Sequence, residues 1–584
     1  MRSSQAEAGS LLAIDVGSVN TRAWLFEVVD GRYRFVASGQ APTTADAPYN
    51  NVGEGVRIAL DRLQTATGHL LMDANDRLIV PSRPDGAGVD AAVATLSAGA
   101  PLNVAVIGLL DDVSLASIQR LASGTYAQVV ERISLSDRRK PEARLDALLR
   151  LRPNVVLVAG GTDGGATQSV HKLLEVVGLL LMLLPEGDRP EILYVGNQAL
   201  QGGLKDALGR YGHLHFAPNV RPQLDVEQLE PAQMALAHIF RQIRLRRLPG
   251  LLDLDSWSGG GLKPSALAYG RVIRFLSTMY DSAKGVLGVD IGASSTVMAA
   301  AFSGELLLGV YPEYGLGPSL VTLLERCQVK DLQRWLTIEL SEDDLRNYLA
   351  NKSLYPGTIP VSMEELAIEG ALARQLMQLA LRKLATDYYP RLTHKGTGLL
   401  PGFEPIVASG SVLSQAPSLA GCLLMLLDGL QPTGVTTLVL DTHQITPALG
   451  AAAQTNPVLS IQVLESNAFT NLGTVISPVG EARPGTPILR VRMTQEGGQE
   501  IRLDVKQGTI EVLPLPVGQP GRLQLRPLHR YDVGLGGAGR GGSLRVVGGA
   551  LGVIIDARGR PLRLPVEIAR RRELYKRWMR VLSG

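Results

Sequence analysis

IDVGSVNTR (residues 14–22) and VDIGASST (residues 289–296) carry the same short pattern, Asp-x-Gly followed by small hydroxylated residues, at two distant places in one chain. Outward from the first, residues 11–39 read LLAIDVGSVNTRAWLFEVVDGRYRFVASG. This is an apolar run, the Asp15–Ser18 turn, a second apolar run over Ala23–Val29, the turn Asp30-Gly31 and a third run. Residues 286–311, VLGVDIGASSTVMAAAFSGELLLGVY, follow the same order, with Ser303-Gly304 in place of Asp30-Gly31. Asp-Gly between alternating apolar runs is a strong hairpin signal, so each copy predicts an antiparallel three-stranded opening. A unit that recurs in this way predicts two lobes of like architecture.

The turn itself has a chemistry. Glycine lets the backbone bend tightly and approach a ligand, exposing N–H groups that form an anion-binding nest, and the following hydroxyls donate to phosphate oxygens. A carboxylate at the end of a buried strand needs a cation, and a hydrated Mg²⁺ bridging to phosphate supplies one. Two such turns facing each other would clamp a polyphosphate from both sides. A third element follows: strand Pro405–Ala408, the turn Ser409-Gly410-Ser411, a helix, strand Thr437–Leu440, Asp441 and a helix of small residues. A strand feeding a Gly/Ser turn and a helix start can carry a nucleoside or its phosphate.

That order of two phosphate hairpins and a strand-Gly-helix turn resembles the actin-like ATPase and sugar-kinase superfamily. Within it the chain is most similar to the glutamate mutase L family. The residues that carry the resemblance are IDVGSVNTR (14–22), VAGGTDGG (158–165), YVGNQALQ (194–201), PNVRPQL (218–224), VDIGASST (289–296), SGSVL (409–413) and LVLDTHQITPALG (438–450), spanning about residues 11–453. The resemblance implies an α/β, two-lobed actin-like (ribonuclease H-like) fold that binds ATP and Mg²⁺. It assigns Asp15, Gly17, Ser18, Asn20, Thr21 and Arg22 to the first phosphate turn, Asp290, Gly292, Ser294, Ser295 and Thr296 to the second, and Gly410 and Ser411 to the adenosine turn. Asp15 and Asp290 are the implied magnesium organisers, and Asp290 would also orient the attacking water. The chain departs from the pattern at Arg22, where Lys is usual, at Val297, where an Asp is usual, and at Ala293 and Ser411, which replace glycines. The implied function is an ATP-hydrolysing, chaperone-like accessory protein that closes and reopens on a partner, in this family a cobalamin-dependent mutase. A non-hydrolysing scaffold and a small-molecule kinase are the alternatives.

Composition bounds these readings. At 584 residues the chain predicts several structural units. Its longest apolar stretch, Val176–Leu184, is about half of what a bilayer requires, so stable membrane insertion is not expected. Residues 1–10, MRSSQAEAGS, contain no apolar core of a secretory signal. Cys327 and Cys422 lie far apart with no CxxC, which fits a reducing, cytoplasmic setting. His171, His213, His215, His394 and His443 show no metal-ligand spacing. Net charge is only +3, but residues 460–584 hold 19 basic against 10 acidic residues, marking the tail as a distinct basic region. The expected division is therefore a first lobe (1–100), an inserted α/β region (101–262), a second lobe (263–455) and a basic, β-rich module (456–584). That module is expected to be a small barrel or sandwich with its terminal helix, Val566–Leu582, docked on it. The arginines at 241, 244, 246 and 247 close a helix, where the macrodipole favours them, so no nucleic-acid partner is expected. The glycine-rich AGGTDGGATQSVHK (159–172) reads either as an anion-binding loop or as a turn capped by Asp163 or Thr167.

Overall fold

The structure, a computed structural model, describes residues 9–389, 391–392 and 399–584; His394 lies outside them. The first hairpin forms as its turns dictate: β1 (Ser10–Val16), β2 (Asn20–Val29) and β3 (Arg32–Pro42) run antiparallel. Helix α1 (Val52–Thr67) covers one face of the sheet and returns the chain to β4 (Ala91–Leu96), which pairs in parallel with β1. β1 is apolar at nearly every position because both its faces are covered. Leu12, Ile14 and Val16 face α1, whereas Leu11 and Ala13 pack in a separate cluster on the other side.

The chain then leaves this sheet. β5 (Leu102–Gly108), β6 (Ala127–Ile133), β7 (Val155–Ala159), β8 (Glu191–Tyr194) and β9 (Leu214–Phe216) form an all-parallel sheet in the order β6-β5-β7-β8-β9, with α2 (Gln168–Leu183) following β7. α3 (Glu230–Arg247) leads back to the two-residue β10 (Lys263–Pro264), which pairs with β4. The first-lobe sheet thus reads β3-β2-β1-β4-β10, and the inserted sheet interrupts it between its fourth and fifth strands.

Helix α4 (Ser265–Met279) connects to β11 (Gly285–Ile291), β12 (Thr296–Phe302) and β13 (Glu305–Tyr311). After α5 (Met363–Asp387) come β14 (Phe403–Ser409), α6 (Ser411–Ser414), α7 (Leu419–Gly429) and β15 (Gly434–Leu440). The order β13-β12-β11-β14-β15 repeats that of the first lobe strand for strand. So does the register: Asp15 faces Arg22 and Val16 faces Thr21, as Asp290 faces Val297 and Ile291 faces Thr296. Each turn closes identically, the Gly17 N–H donating to the Asn20 carbonyl at 3.0 Å and the Gly292 N–H to the Ser295 carbonyl at 2.9 Å. This is the duplicated, two-lobed actin-like fold.

The helix after each lobe's fifth strand crosses to the opposite lobe. α4 packs its Tyr269 and Ile273 against Gly288 of β11, and the Tyr269 hydroxyl donates to the Val407 carbonyl at 3.0 Å. α8 (Thr446–Ala452) and α9 (Pro457–Leu464) instead cover Leu11, Ala13 and Trp24 of the first lobe. Where α4 and α8 cross, a Cβ on Gly450 would stand 1.8 Å from the Ala268 carbonyl oxygen. Backbone cannot yield as a side-chain tip can, so Gly450→Ala is expected to destabilise the protein by about 1–3 kcal/mol. Urea unfolding checks this, and an unchanged midpoint would show that the crossing can spread.

The C-terminal region is β-rich, and its strands divide between the second-lobe sheet and a sheet of their own. β16 (Thr470–Ser477) pairs with β15. It is followed by β17 (Pro487–Gln495), β18 (Glu500–Lys506), β19 (Ile510–Leu513), β20 (Pro520–Pro527), β21 (Gly542–Val547) and β22 (Val553–Asp556). β16, β22 and β19 extend the second-lobe sheet to eight strands, and only β18-β17-β20-β21 make a sheet of their own. The two layers share one core, with Ile476 and Ile555 from the first meeting Leu489 and Leu523 from the second. Alternating apolar patterns report a strand's faces but not its neighbours, which is why this junction was invisible in the sequence. The terminal helix α10 (Ile568–Ser583) likewise buries Trp578 and Leu582 in the second-lobe core rather than on a barrel. Among the described residues no helix is long and apolar enough to cross a membrane.

Candidate functional site

A cleft of about 1020 Å³ opens between the lobes. The first turn supplies Asp15, Gly17, Ser18, Asn20 and Arg22 to its lining, the second Asp290, Gly292, Ser294 and Ser295, and the third Gly410 and Ser411. Thr21 and Thr296 were expected there and are not. Each is fully buried and spends its hydroxyl on the protein, Thr21 with the Thr43 hydroxyl at 2.9 Å and Thr296 on the Tyr314 carbonyl at 2.6 Å. Strand alternation is the reason. Asp15 and its cross-strand neighbour Arg22 share one face, so Thr21, paired with Val16, must point to the other.

The floor of the cleft concentrates charge. Asp15 Oδ1 accepts from the Thr95 and Ser265 hydroxyls at 2.7 and 2.6 Å, and Oδ2 accepts from no described residue. Burial outweighs those two bonds and raises its pKa above the usual carboxylate range. Asp290 accepts no hydrogen bond from any described side chain; burial pushes it up to about 7, opposed by Arg22 and reinforced by Asp15 and Asp441. Asp441, fully buried, caps α8 by accepting from the Ile445 and Thr446 amides at 2.9 and 2.8 Å and from the Thr446 hydroxyl. Its charge acts on the site from beneath, a role the sequence reading missed although Asp441 stands directly after a strand, as Asp15 stands within one.

Among the described residues Arg22 is the one guanidinium whose charge acts on all three of these acids. Burial lowers its pKa and Asp15, Asp290 and Asp441 counter that. From the first lobe it reaches across to donate to Ser411 Oγ of the second at 3.1 Å, and it also donates to Gln40 at 3.3 Å. A planar fork suits it to hold two oxygens at once.

These residues fit a polyphosphate with a hydrated divalent cation. The amides of Ser18, Val19, Ala293 and Ser294, all lining the cleft, donate to no described residue, which leaves two nests open to an anion. Among the described residues no group of three or more His, Cys, Asp or Glu side chains could hold a metal alone. The acids present instead match magnesium, which takes one or two carboxylates and completes its shell with water and phosphate. Gly410 has a structural reason besides: at φ +103 a Cβ would meet the Ile291 carbonyl oxygen at 2.3 Å, so only glycine lets β14 end beside the second turn. Other singled-out features lie elsewhere. His213 and His215 both bind the buried Glu191 carboxylate, at 3.0 and 2.8 Å. Asp163 in the glycine-rich loop accepts from the Gln198 amide and from Asn219, bracing neighbouring turns, and Thr167 makes no side-chain cap.

Among solved structures the chain is similar to a diol dehydratase-reactivating factor in nucleotide-free form (12% identity, 77% of this chain and 100% of the other, TM-score 0.30). It is also similar to a nucleotide-free acetone carboxylase (12% identity, 86% and 81%, TM-score 0.30) and to a glycerol dehydratase reactivase (11% identity, 69% and 92%, TM-score 0.25). No curated protein matches it. Residues 11–468 match the MutL protein family. Since that match spans most of the chain and takes in both turns, the inserted sheet and the cleft lining up to Pro447, the protein belongs to the MutL, or glutamate mutase L, family.

Proposed function

We propose that this chain is an accessory protein that binds ATP with Mg²⁺ in the interlobe cleft, hydrolyses it, and uses the opening and closing of its lobes to remodel or reactivate a partner enzyme. The family makes a cobalamin-dependent mutase the natural candidate for that partner. The observation that supports the reading best is that Asp15 and Asp290, one from each lobe, line a single cleft beside turn amides that donate to no described residue.

Phosphoryl transfer to water asks mainly for positioning and charge compensation. The amides of Ser18, Val19, Ala293 and Ser294 would cradle phosphate oxygens, and Arg22, turning from Ser411, would fork onto them. Asp15 and Asp290 would hold the cation, which when bound offsets phosphate charge. Asp290, which accepts no hydrogen bond from any described side chain and is raised toward neutrality, would orient the attacking water. The close crossing of α4 and α8, where Gly450 meets the Ala268 carbonyl, would serve as the pivot about which the lobes open and close.

Calorimetry of Mg·ATP tests this. The parent protein is expected to bind with micromolar affinity, and Asp15→Asn, which keeps the shape but removes the charge, is expected to abolish binding. Absence of heat from the parent at any accessible concentration would sink the proposal. Phosphate release without an added acceptor would set aside the kinase alternative, and binding without release would favour the scaffold.

A further inference from the structure

The cleft does not end at the phosphate turns. Its lining extends past Gly410 and α6 to residues of α5 and α7 and to two side chains of the terminal helix, Tyr575 and Met579. This helix lies beyond the residues that match the family, 11–468. Tyr575 and Met579 are four residues apart, so they lie on one face of α10, while Trp578 and Leu582, also four apart, anchor the adjacent face in the second-lobe core.

The wall is held rigidly. Arg571 donates to the carbonyls of Leu336 and Gln333 at 3.0 and 3.3 Å, and Arg572 to the Thr337 carbonyl at 2.8 Å. These bonds pin α10 to the segment that brings Trp335 and Ile338 to the same cavity. Arg558 stacks on the Trp578 ring at 4.7 Å from behind.

The two ends of the cleft differ in kind. Asp15, Asp290, the open amides and Arg22 gather at the turns, whereas the other charged lining groups are paired within the protein, Lys352 with Glu369 and Arg374 with Asp428. At the α10 end Trp335, Ile338, Met425, Tyr575 and Met579 present rings, a branched alkyl chain and thioethers. A ligand seated by phosphates at the first end must place its remaining bulk along the second. An apolar wall with aromatic and sulfur groups is what a flat heteroaromatic ring selects.

Resting on the ATP reading above, we infer that α10 is a specificity element of the site: Tyr575 and Met579 form the face against which the nucleobase packs. Affinity for the base then depends on the C-terminal segment outside the shared family region, and affinity for the phosphates does not.

The test compares Mg·ATP with Mg·tripolyphosphate by calorimetry on the full-length parent, on Tyr575→Phe and on Tyr575→Ala/Met579→Ala. The double variant is expected to bind ATP about 5- to 150-fold more weakly, the range for losing a base–aromatic contact, with tripolyphosphate affinity unchanged. Tyr575→Phe, which keeps the ring, is expected to bind both as the parent does. A double variant that binds ATP like the parent overturns the inference and leaves the ATP reading standing. A parallel loss of both ligands overturns it too, by reducing α10 to general support. A parent that binds neither ligand brings down the ATP reading and this inference together.

Discussion

An Asp290→Asn protein without ligand is expected to be more stable than its parent at pH 8, by about 2–4 kcal/mol. Asp290 sits at the cleft floor with no hydrogen-bond donor among the described side chains, and burial raises its carboxyl from the ordinary range to about 7. In the unfolded chain the same group gives up its proton near pH 4. The folded state therefore holds a proton that the unfolded state has lost across the window from about 4 to about 7. Stability linked to this group is complete below the lower value and drains as pH climbs to the upper one. Three units at about 1.4 kcal/mol each set the ceiling, and some contact of the carboxylate with the cleft reduces it. Asparagine has no proton to lose, so its advantage should widen from pH 5 to pH 8, which urea unfolding at the two values measures directly. A constant difference would show that Asp290 titrates like an ordinary surface acid. On the proposed reading the same variant also loses the thermal stabilisation that Mg·ATP confers on the parent, since the destabilised carboxylate is the feature a divalent cation would satisfy. A site that weakens the empty fold and is relieved by its ligand is a common bargain between stability and function.

The hairpins were legible because their signals are local. Asp30 and Gly31 take φ of 52 and 74, and Ser303 and Gly304 take 48 and 86, the paired left-handed turn that such dipeptides favour. The convergence of Asp15 and Asp290 on one cleft was also foreseeable, since a duplicated unit tends to place like turns face to face. Thr21 and Thr296 were misplaced by reading the turn as a string of donors instead of applying the period of two that governs the strand they begin. Other features depend on contacts that no window of sequence contains. β10 is two residues long and exists because β4 offers an edge after the inserted sheet is complete. Tyr575 and Met579 read as part of a basic amphipathic helix, and only its docking beside residues 333–338 turns them into the wall of a cavity opened hundreds of residues earlier. Asp556-Ala-Arg558-Gly-Arg560 looks like a polar strand end, yet it is buried because Asp428 and Arg374 arrive from α7 and α5 to meet it.

Asp556→Ala is expected to cost about 3–5 kcal/mol at pH 7, the range for removing one member of a buried ionic set. Five charges alternate through the second lobe. Arg374 Nε donates to Asp428 Oδ2 at 2.7 Å, and Arg558 Nη1 to Asp428 Oδ1 at 2.7 Å. Asp556 then accepts from Arg558 Nε and Nη2 at 2.8 and 2.9 Å and from Arg560 Nη2 at 2.7 Å. Asp556 is wholly shielded from solvent, and Arg558 and Arg560 are nearly so. Burial alone would raise the Asp556 carboxyl, but the two guanidinium groups override it and hold the acid well below its usual range. Its contribution is therefore present above about pH 4 and is lost as pH falls toward the depressed folded value. The gap between parent and variant should be full at pH 7 and shrink in strong acid. Alanine leaves three guanidinium groups, Arg374, Arg558 and Arg560, confined with one carboxylate, Asp428, and removes three of the hydrogen bonds that hold Arg558 and Arg560. Arg558 also backs Trp578 of α10, and Arg374 lines the cleft, so the loss should loosen the wall that Tyr575 and Met579 present as well as lower the unfolding midpoint. Urea unfolding at pH 7 decides it: a variant with the parental midpoint would show that Arg558 and Arg560 find other acceptors, and that the alternating charges are an accident of packing with no structural weight.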